Sequence, residues 1–343
     1  MHPFRNFGFR ISDCGWVVSP CNPKSAIRNS IIMPLMISLF RKGSVLAGDI
    51  KLAHSIFALP FALLAAFLAP GIGTAPAPGI APGQLLLIVL CMFFARTYAM
   101  LTNRLLDRSF DAANPRTAGR ALPAGRVKPR DVIFVILLCA IGLIACAAAF
   151  GPLYQNYYPL LASPLVLLWL GAYAVAKRFT PLAHFILGGA LGLSPLAAGL
   201  AVQPASLASP PLWLLAGFVL LWVGGFDIIY ALQDIEHDQR EGLHSIPARL
   251  GRGKSLLTAK FVHLLALLLL VLVMRTSPAL RTPHIPGTDM SWFSLGVVLV
   301  AALLLIEHRA AQRNRFTLAF FTLNGLIALL LAAAGVADVL LMM

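Results

Sequence analysis

The amino-acid sequence predicts an all-α, polytopic membrane protein with nine transmembrane helices, and three observations carry that expectation. Hydrophobic residues make up 59% of the chain and charged residues only 12%, where a soluble domain carries roughly a quarter charged. A mean hydropathy of +0.83 leaves too little polar surface to cover a water-facing globule. The apolar residues also fall in continuous runs rather than in the alternation of a membrane β-strand. Disordered, collagen-like and secreted disulfide-rich classes are excluded by the same composition. The five cysteines, Cys14, Cys21, Cys91, Cys139 and Cys146, have neither metal-ligand spacing nor a bridge framework.

A membrane-crossing helix needs about 20 mostly apolar residues, because the hydrocarbon core is ~30 Å thick and a helix rises ~1.5 Å per residue. Nine runs meet that length: 50–69, 84–103, 131–150, 157–176, 182–202, 211–231, 255–274, 291–308 and 317–340. Most are bounded by Gly, Pro or charge. The links between them alternate in character. Those at 70–83, 151–156 and 203–210 contain no charged residue, and 275–290 holds only Arg275, Arg281 and Asp289. By contrast, 104–130 carries Arg104, Arg108, Arg116, Arg120, Arg126, Lys128 and Arg130. Lys177 and Arg178, then Arg240, Arg249, Arg252 and Lys254, then Arg309, Arg313 and Arg315 continue the series. The positive-inside rule therefore places the N-terminus and the charged loops in the cytoplasm and the C-terminus outside, in the cell's inner (plasma) membrane. The net charge of +14 is dispersed between apolar segments. That distribution fits topology signalling and anionic ligands rather than nucleic acid.

Residues 1–43 fit neither pattern and are expected to form a disordered extension, with Met33 or Met36 as alternative starts; residues 44–343 then form the transmembrane domain. A cleaved signal peptide does not suit the segment, because no apolar core sits near its start and no small-residue cleavage site follows.

The acids are few, thirteen in all, and their placement carries the chemistry. Asn103, Asp107 and Asp111 follow at four-residue steps at the end of the second run. Asp227, Tyr230, Asp234, Glu236 and Asp238 sit likewise at the end of the sixth. If each helix continues past the membrane, residues four apart share a face, with Asn103 and Arg96 extending the first stripe inward. Helix ends in the headgroup zone are commonly charged, but two acidic stripes at matching depth ask for more than that. Like carboxylates one turn apart repel unless a cation compensates. Carboxylates without Cys select a hard cation, Mg²⁺ or Mn²⁺. Magnesium takes phosphate oxygens as further ligands, and Arg116, Arg120, Lys177 and Arg178 lie beside the stripes either to complete a diphosphate site or as topology signals alone. A diphosphate head above an apolar helical bundle points to a lipid diphosphate, whose C–O bond a metal helps to cleave. An allylic chain would yield a delocalised cation that an electron-rich aromatic ring captures.

These segments resemble a known family. Asn103-Arg-Leu-Leu-Asp107-Arg-Ser-Phe-Asp111, followed by Asn114-Pro-Arg116-Thr-Ala-Gly-Arg120-Ala-Leu-Pro123-Ala-Gly125, is similar to the first signature of the UbiA superfamily of membrane prenyltransferases. Asp227-Ile-Ile-Tyr230-Ala-Leu-Gln-Asp234-Ile-Glu-His-Asp238, then His244-Ser-Ile-Pro-Ala-Arg249, resembles the second. The resemblance implies a UbiA-type helical bundle with cytoplasmic acidic loops. It also implies Mg²⁺-dependent transfer of a polyprenyl group from polyprenyl diphosphate to an aromatic acceptor within the lipid bilayer. Carried over by motif, Asn103, Asp107, Asp111, Asp234 and Asp238 would hold the metals, Asp227 and Tyr230 would line the site, and Lys177 and Arg178 would meet the diphosphate. Arg104 departs from the ubiquinone-pathway pattern, in which an Asp follows the Asn. This form looks more like the 4-hydroxybenzoate polyprenyltransferase-like branch, often linked to menaquinone made by the futalosine route. The acceptor is then 4-hydroxybenzoate or a related quinone precursor.

His54 and Lys51 are candidates for an acceptor carboxylate, or else interfacial anchors. Phe57, Phe61, Trp169, Tyr173 and Phe226 are candidates to surround the cation, though aromatics in spans are commonly packing or belt residues. Asn324 reads better as a helix–helix hydrogen bond than as a ligand. Among other enzymes the alternatives are a haem-side-chain farnesyltransferase and a lipid prenyltransferase. A secondary transporter is the rival of another class; it would place ionisable residues near mid-membrane and show a repeat architecture, whereas here the acids read as lying at one rim.

Overall fold

The computed structural model describes residues 57–72 and 79–342, and among them all regular structure is helical. The expected extension over 1–43, and with it Lys51 and His54, lies outside the described residues. Prolines open several long helices, where a missing N–H costs nothing. After α1 (Leu59–Leu68), Pro82 begins α2 (Pro82–Leu106), which leads to the short α3 (Arg108–Ala113). Pro129 begins α4 (Pro129–Tyr154), and α5 (Tyr158–Ala172) runs on into a 3₁₀ turn at Tyr173–Arg178. Next come α6 (Ala183–Val202), α7 (Pro210–Ala231) and the short α8 (Ile235–Arg240). The chain closes with α9 (Ile246–Thr276), α10 (Pro278–Arg281), α11 (Trp292–Gln312) and α12 (Asn324–Met342).

Among the described residues, eight helical segments are long and apolar enough to cross a membrane: Pro82–Leu106, Pro129–Tyr154, Tyr158–Arg178, Ala183–Val202, Pro210–Arg240, Ile246–Thr276, Trp292–Gln312 and Leu318–Met342. They match eight of the nine expected runs. The remaining run, 50–69, is represented by the shorter apolar helix Leu59–Gly71, and its first residues lie outside the described part.

Helix α7 is the axis of the bundle. Leu212, Leu215, Phe218, Val219, Trp222 and Val223 are all fully buried along it. Packing on α6 is close because Gly188 and Gly192 face the backbone of Leu220 and Ala216, leaving no room for a Cβ at Gly188.

Two departures from the sequence expectation matter for function. The acidic stripes are not continuous helix faces. Helix α2 ends at Leu106, and Asp107 sits in the bend before α3 (φ −90°, ψ 9°). In the same way, α7 passes through a 3₁₀ turn over Leu232–Asp234 and turns again at Asp234 (φ −112°, ψ 11°) before α8. Each motif is therefore interrupted by a bend rather than continuing as one regular α-helix. The acids are also not confined to one rim. Asp338 is fully buried at the opposite end, where its carboxylate accepts from the backbone N–H groups of Trp292 (3.0 Å) and Phe293 (2.7 Å). It caps the first turn of α11, with His284 Nδ1 2.9 Å away. That acid is accounted for by helix capping.

Candidate active site

The bends at Asp107 and Asp234 turn the two motifs toward each other across a cavity of about 750 Å³. Every charged or polar site residue expected from the sequence within the described part lines it: Arg96, Asn103, Asp107, Asp111, Arg116, Arg120, Lys177, Arg178, Asp227, Tyr230, Asp234 and Asp238. Residues more than a hundred positions apart are thereby brought into hydrogen-bond contact. Asn114 Nδ2 donates to Asp234 Oδ1 at 3.1 Å, while Arg116 donates from Nε to Oδ1 (3.0 Å) and from Nη2 to Oδ2 (2.6 Å). This fork-on-carboxylate geometry is the strongest form of such a pair.

The other acids are compensated in the same manner. Arg120 Nη1 lies 2.6 Å from Asp111 Oδ1, Lys177 Nζ 3.4 Å from Asp238 Oδ2, and Arg178 Nη2 3.2 Å from Asp107 Oδ1. Four carboxylates thus face four cations, all at the cavity wall. Burial pushes the Asp107 carboxyl above its ordinary range, against the hydrogen bond and charge of Arg178, which pull it down. Arg104 takes the oxygen of Asn103 (3.0 Å), and Asn103 Nδ2 donates to Asp107 Oδ2 (2.9 Å). Among these site cations Arg96 differs in having no carboxylate partner among the described residues, and its Nε is buried without a hydrogen bond to any of them. Glu236 turns outward to Arg240 as an exposed i,i+4 pair of little energetic weight.

His184 is a site residue that sequence reasoning missed. Fully buried on α6, it holds Nδ1 2.6 Å from Asp227 Oδ2, while its Nε2 accepts from the backbone N–H of Ile246 at 3.3 Å. With Nε2 accepting, Nδ1 is the nitrogen that carries the proton and donates to Asp227. The backbone N–H of His244 also donates to the Lys177 carbonyl at 2.7 Å, so the loop after the second motif is tied over the cavity. No spacing rule connects His184 to Asp227, 43 residues away.

Of the candidate aromatics, Phe57, Tyr173 and Phe226 line the cavity. Phe61 lies deeper, edge-on to Trp222, and Trp169 is 42% exposed on the outside, donating to the Ile186 carbonyl. Phe320 also lines the cavity and was not anticipated. An apolar crevice of about 130 Å³, bounded by residues such as Met92, Leu143, Val166 and Leu170, shares Arg96, Tyr173, Leu187 and Leu191 with the polar cavity. An amphiphile with a charged head can therefore lie across both. Asn324 forms the helix–helix bond expected of it, accepting from Trp222 Nε1 at 2.7 Å and donating to Glu307 Oε1 at 3.0 Å.

The donor set suits a hard divalent cation. Asp111 Oδ2 is buried with no hydrogen-bond partner among the described residues, and the neighbouring ligand atoms are carboxylate and amide oxygens. Among the described residues no three His, Cys, Asp or Glu converge as a preformed cage. Magnesium commonly needs none, being held by one or two carboxylates together with substrate phosphates.

Comparison with known proteins agrees with this geometry. The profile of the UbiA prenyltransferase family matches residues 58–324. The 4-hydroxybenzoate octaprenyltransferase of Aeromonas hydrophila subsp. hydrophila is 32% identical over 253 residues, 72% of this chain and 81% of that protein. The protein of that name from Edwardsiella ictaluri is 32% identical over 262 residues, covering 74% and 84%. A UbiA homolog from Aeropyrum pernix K1 superposes with a TM-score of 0.71 at 29% identity, over 83% of this chain and 98% of that one. A UbiA homolog from Archaeoglobus fulgidus, bound to DMAPP and Mg²⁺, shares the fold with a TM-score of 0.61 at 19% identity, over 86% and 98%. Motif and fold coincide, and the chain is a multi-pass membrane protein that belongs to the UbiA prenyltransferase family.

Proposed function

We propose that this protein transfers a polyprenyl group from polyprenyl diphosphate to an aromatic acceptor, 4-hydroxybenzoate or a related quinone precursor, with residues 44–343 as the catalytic domain. One observation carries the reading: a single cavity holds four paired carboxylates and cations in one part, aromatic rings in another, and adjoins an apolar crevice. The names of the relatives support the acceptor assignment, and the DMAPP- and Mg²⁺-bound neighbour supports the donor.

Asp107, Asp111, Asp234 and Asp238, with Asn103, are the residues to hold Mg²⁺ or Mn²⁺. The bound metal neutralises charge building on the departing diphosphate. The chain's own residues account for the remainder. Arg116, Arg120, Lys177 and Arg178, each now resting on a carboxylate, are placed to engage phosphate oxygens when the carboxylates take up a cation. Charge is exchanged within the site rather than newly buried, which keeps the desolvation cost of binding low. Arg96, with no carboxylate partner among the described residues, is available to a further substrate anion. The allylic C–O bond breaks with its electron pair leaving on the diphosphate, and a ring carbon of the acceptor supplies the electrons of the new C–C bond. The ring proton then passes to Asp227, which His184 holds in a fixed orientation. Labelled polyprenyl diphosphate and a panel of acceptors, incubated with washed membranes, test this reading. Label is expected in the prenylated phenol, and label found only in the free polyprenol or a glycerol phosphate lipid overturns it.

The same reading places the acidic motifs in the cytoplasm of the inner membrane, with Leu59–Gly71 belonging to a ninth span and the C-terminus outside. In right-side-out vesicles of a cysteine-free variant, a cysteine at position 118 is expected to resist an impermeant thiol reagent while one at 205 reacts. The reverse pattern refutes the orientation.

A further inference from the structure

The last membrane segment does not begin as an ordinary α-helix. Residues Leu318–Leu323 form a π-helical turn, a rare arrangement frequent at functional sites. Phe320 sits in that turn and lines the cavity. Its ring meets three others that also line it: Tyr230 at 4.2 Å between centroids, Phe226 at 5.3 Å and Phe57 at 5.5 Å. Phe57 and Phe226 are themselves 5.4 Å apart. The four rings therefore form one continuous aromatic wall with Phe320 touching every other member.

One buried amide, that of Asn324, ties down the turn that carries Phe320. A π-turn breaks the regular ladder of backbone hydrogen bonds and leaves carbonyls needing donors. The Asn324 amide, fully buried, shares its N–H groups among the Ala319 carbonyl (2.8 Å), the Phe320 carbonyl (3.3 Å) and Glu307 Oε1 (3.0 Å). Its oxygen accepts from Trp222 Nε1 at 2.7 Å. Because the indole N–H can only donate, the orientation of the amide is set. Trp222 packs edge-on against Phe226 at 5.0 Å. Asn324 thus fastens both sides of the wall, the π-turn directly and α7 through Trp222.

The wall is also correctly placed for a second substrate. The Tyr230 hydroxyl accepts from Arg116 Nη1 at 2.9 Å, and the same guanidinium holds Asp234, so the rings begin where the carboxylate region ends. None of the four rings lines the apolar crevice suited to a hydrocarbon tail. A flat, electron-rich ring laid against them would lie beside the diphosphate region without competing for the tail's space.

We infer that Tyr230 and Phe320, backed by the buried rings of Phe57 and Phe226, form the face on which the aromatic acceptor stacks, with Phe320 a specificity-determining residue and Asn324 the positioning residue that holds it. The inference rests on the prenyltransferase reading above. Steady-state kinetics of the purified full chain in lipid nanodiscs test it, with 4-hydroxybenzoate and polyprenyl diphosphate varied separately. Phe320→Ala is expected to raise the acceptor KM about tenfold while the donor KM stays within about twofold, the loss of one aromatic pair. Phe320→Tyr is expected to keep the parent value. Asn324→Leu is expected to move the acceptor KM the same way, and the double variant to be no worse than Phe320→Ala, because coupled positions are not additive. Should Asn324→Leu fail to accumulate, Trp222→Phe, which deletes the N–H donated to Asn324, replaces it with the same expectation. A fall in kcat with the acceptor KM unchanged would assign the rings to the allylic cation and overturn the proposal, as would fully additive effects. If the parent protein prenylates no acceptor in the panel, the transferase reading fails and this inference with it. That outcome is recognised without any variant.

Discussion

Asp107→Ala and Asp234→Ala are each expected to lower turnover by at least about 10²-fold, or ~2.7 kcal/mol of activation free energy. Asp234 accepts three hydrogen bonds from Asn114 and Arg116, and Asp107 accepts from Asn103 and Arg178, so each is the anchor of one motif. Both act on one diphosphate. The double variant is therefore expected to be little worse than the poorer single, as for parts of one catalytic unit. Folded protein should change little, because the Arg116 and Arg178 side chains remain 35% and 31% exposed and stay hydrated once their partners are removed. Asp107→Glu is the finer probe: charge survives but the carboxylate moves by about one methylene, and Mg²⁺ tolerates little distortion of its octahedral shell. Partial loss is expected, recovered in part by the larger Mn²⁺. Near-normal turnover of both alanine variants in washed membranes would reduce these acids to ordinary surface charge and defeat the proposed mechanism.

Chelation is expected to have the largest effect of all. EDTA should abolish transfer, and Mg²⁺ returned in excess should restore it, since the diphosphate cannot otherwise be neutralised as it leaves. Thermal unfolding in detergent should be nearly unaffected by the same treatment. The reason is the charge pairing: each of the four carboxylates already has an Arg or Lys partner, so this cluster is compensated without the metal. Activity undiminished by chelation would exclude metal-assisted ionisation. A large loss of stability would instead mean that the metal is structural.

Much of the site was legible because it is written in local spacing. Asn103, Asp107 and Asp111 lie in one short segment and Asp227, Asp234 and Asp238 in another, so steps of four and seven residues exposed them. The basic residues beside them were legible for the same reason. The straight-helix geometry inferred from that spacing did not hold. Periodicity reports which residues would share a face if a helix continued, and it is silent on a break at Asp107 or Asp234. Asp338 shows the converse limit: an acid in an apolar segment has no readable purpose until the N-terminus of α11 is seen against it.

The sequence by itself determined the membrane class, eight of the spans and the two acidic motifs, because burial in hydrocarbon demands long apolar runs that composition alone records. Only the tertiary structure decided which groups meet. It paired Arg116 with Asp234, Arg178 with Asp107, and His184 with Asp227. It also set Phe320 against Tyr230. Such contacts join residues 43 to 118 positions apart. They depend on helix packing and on where each helix bends, and neither leaves a period in the chain.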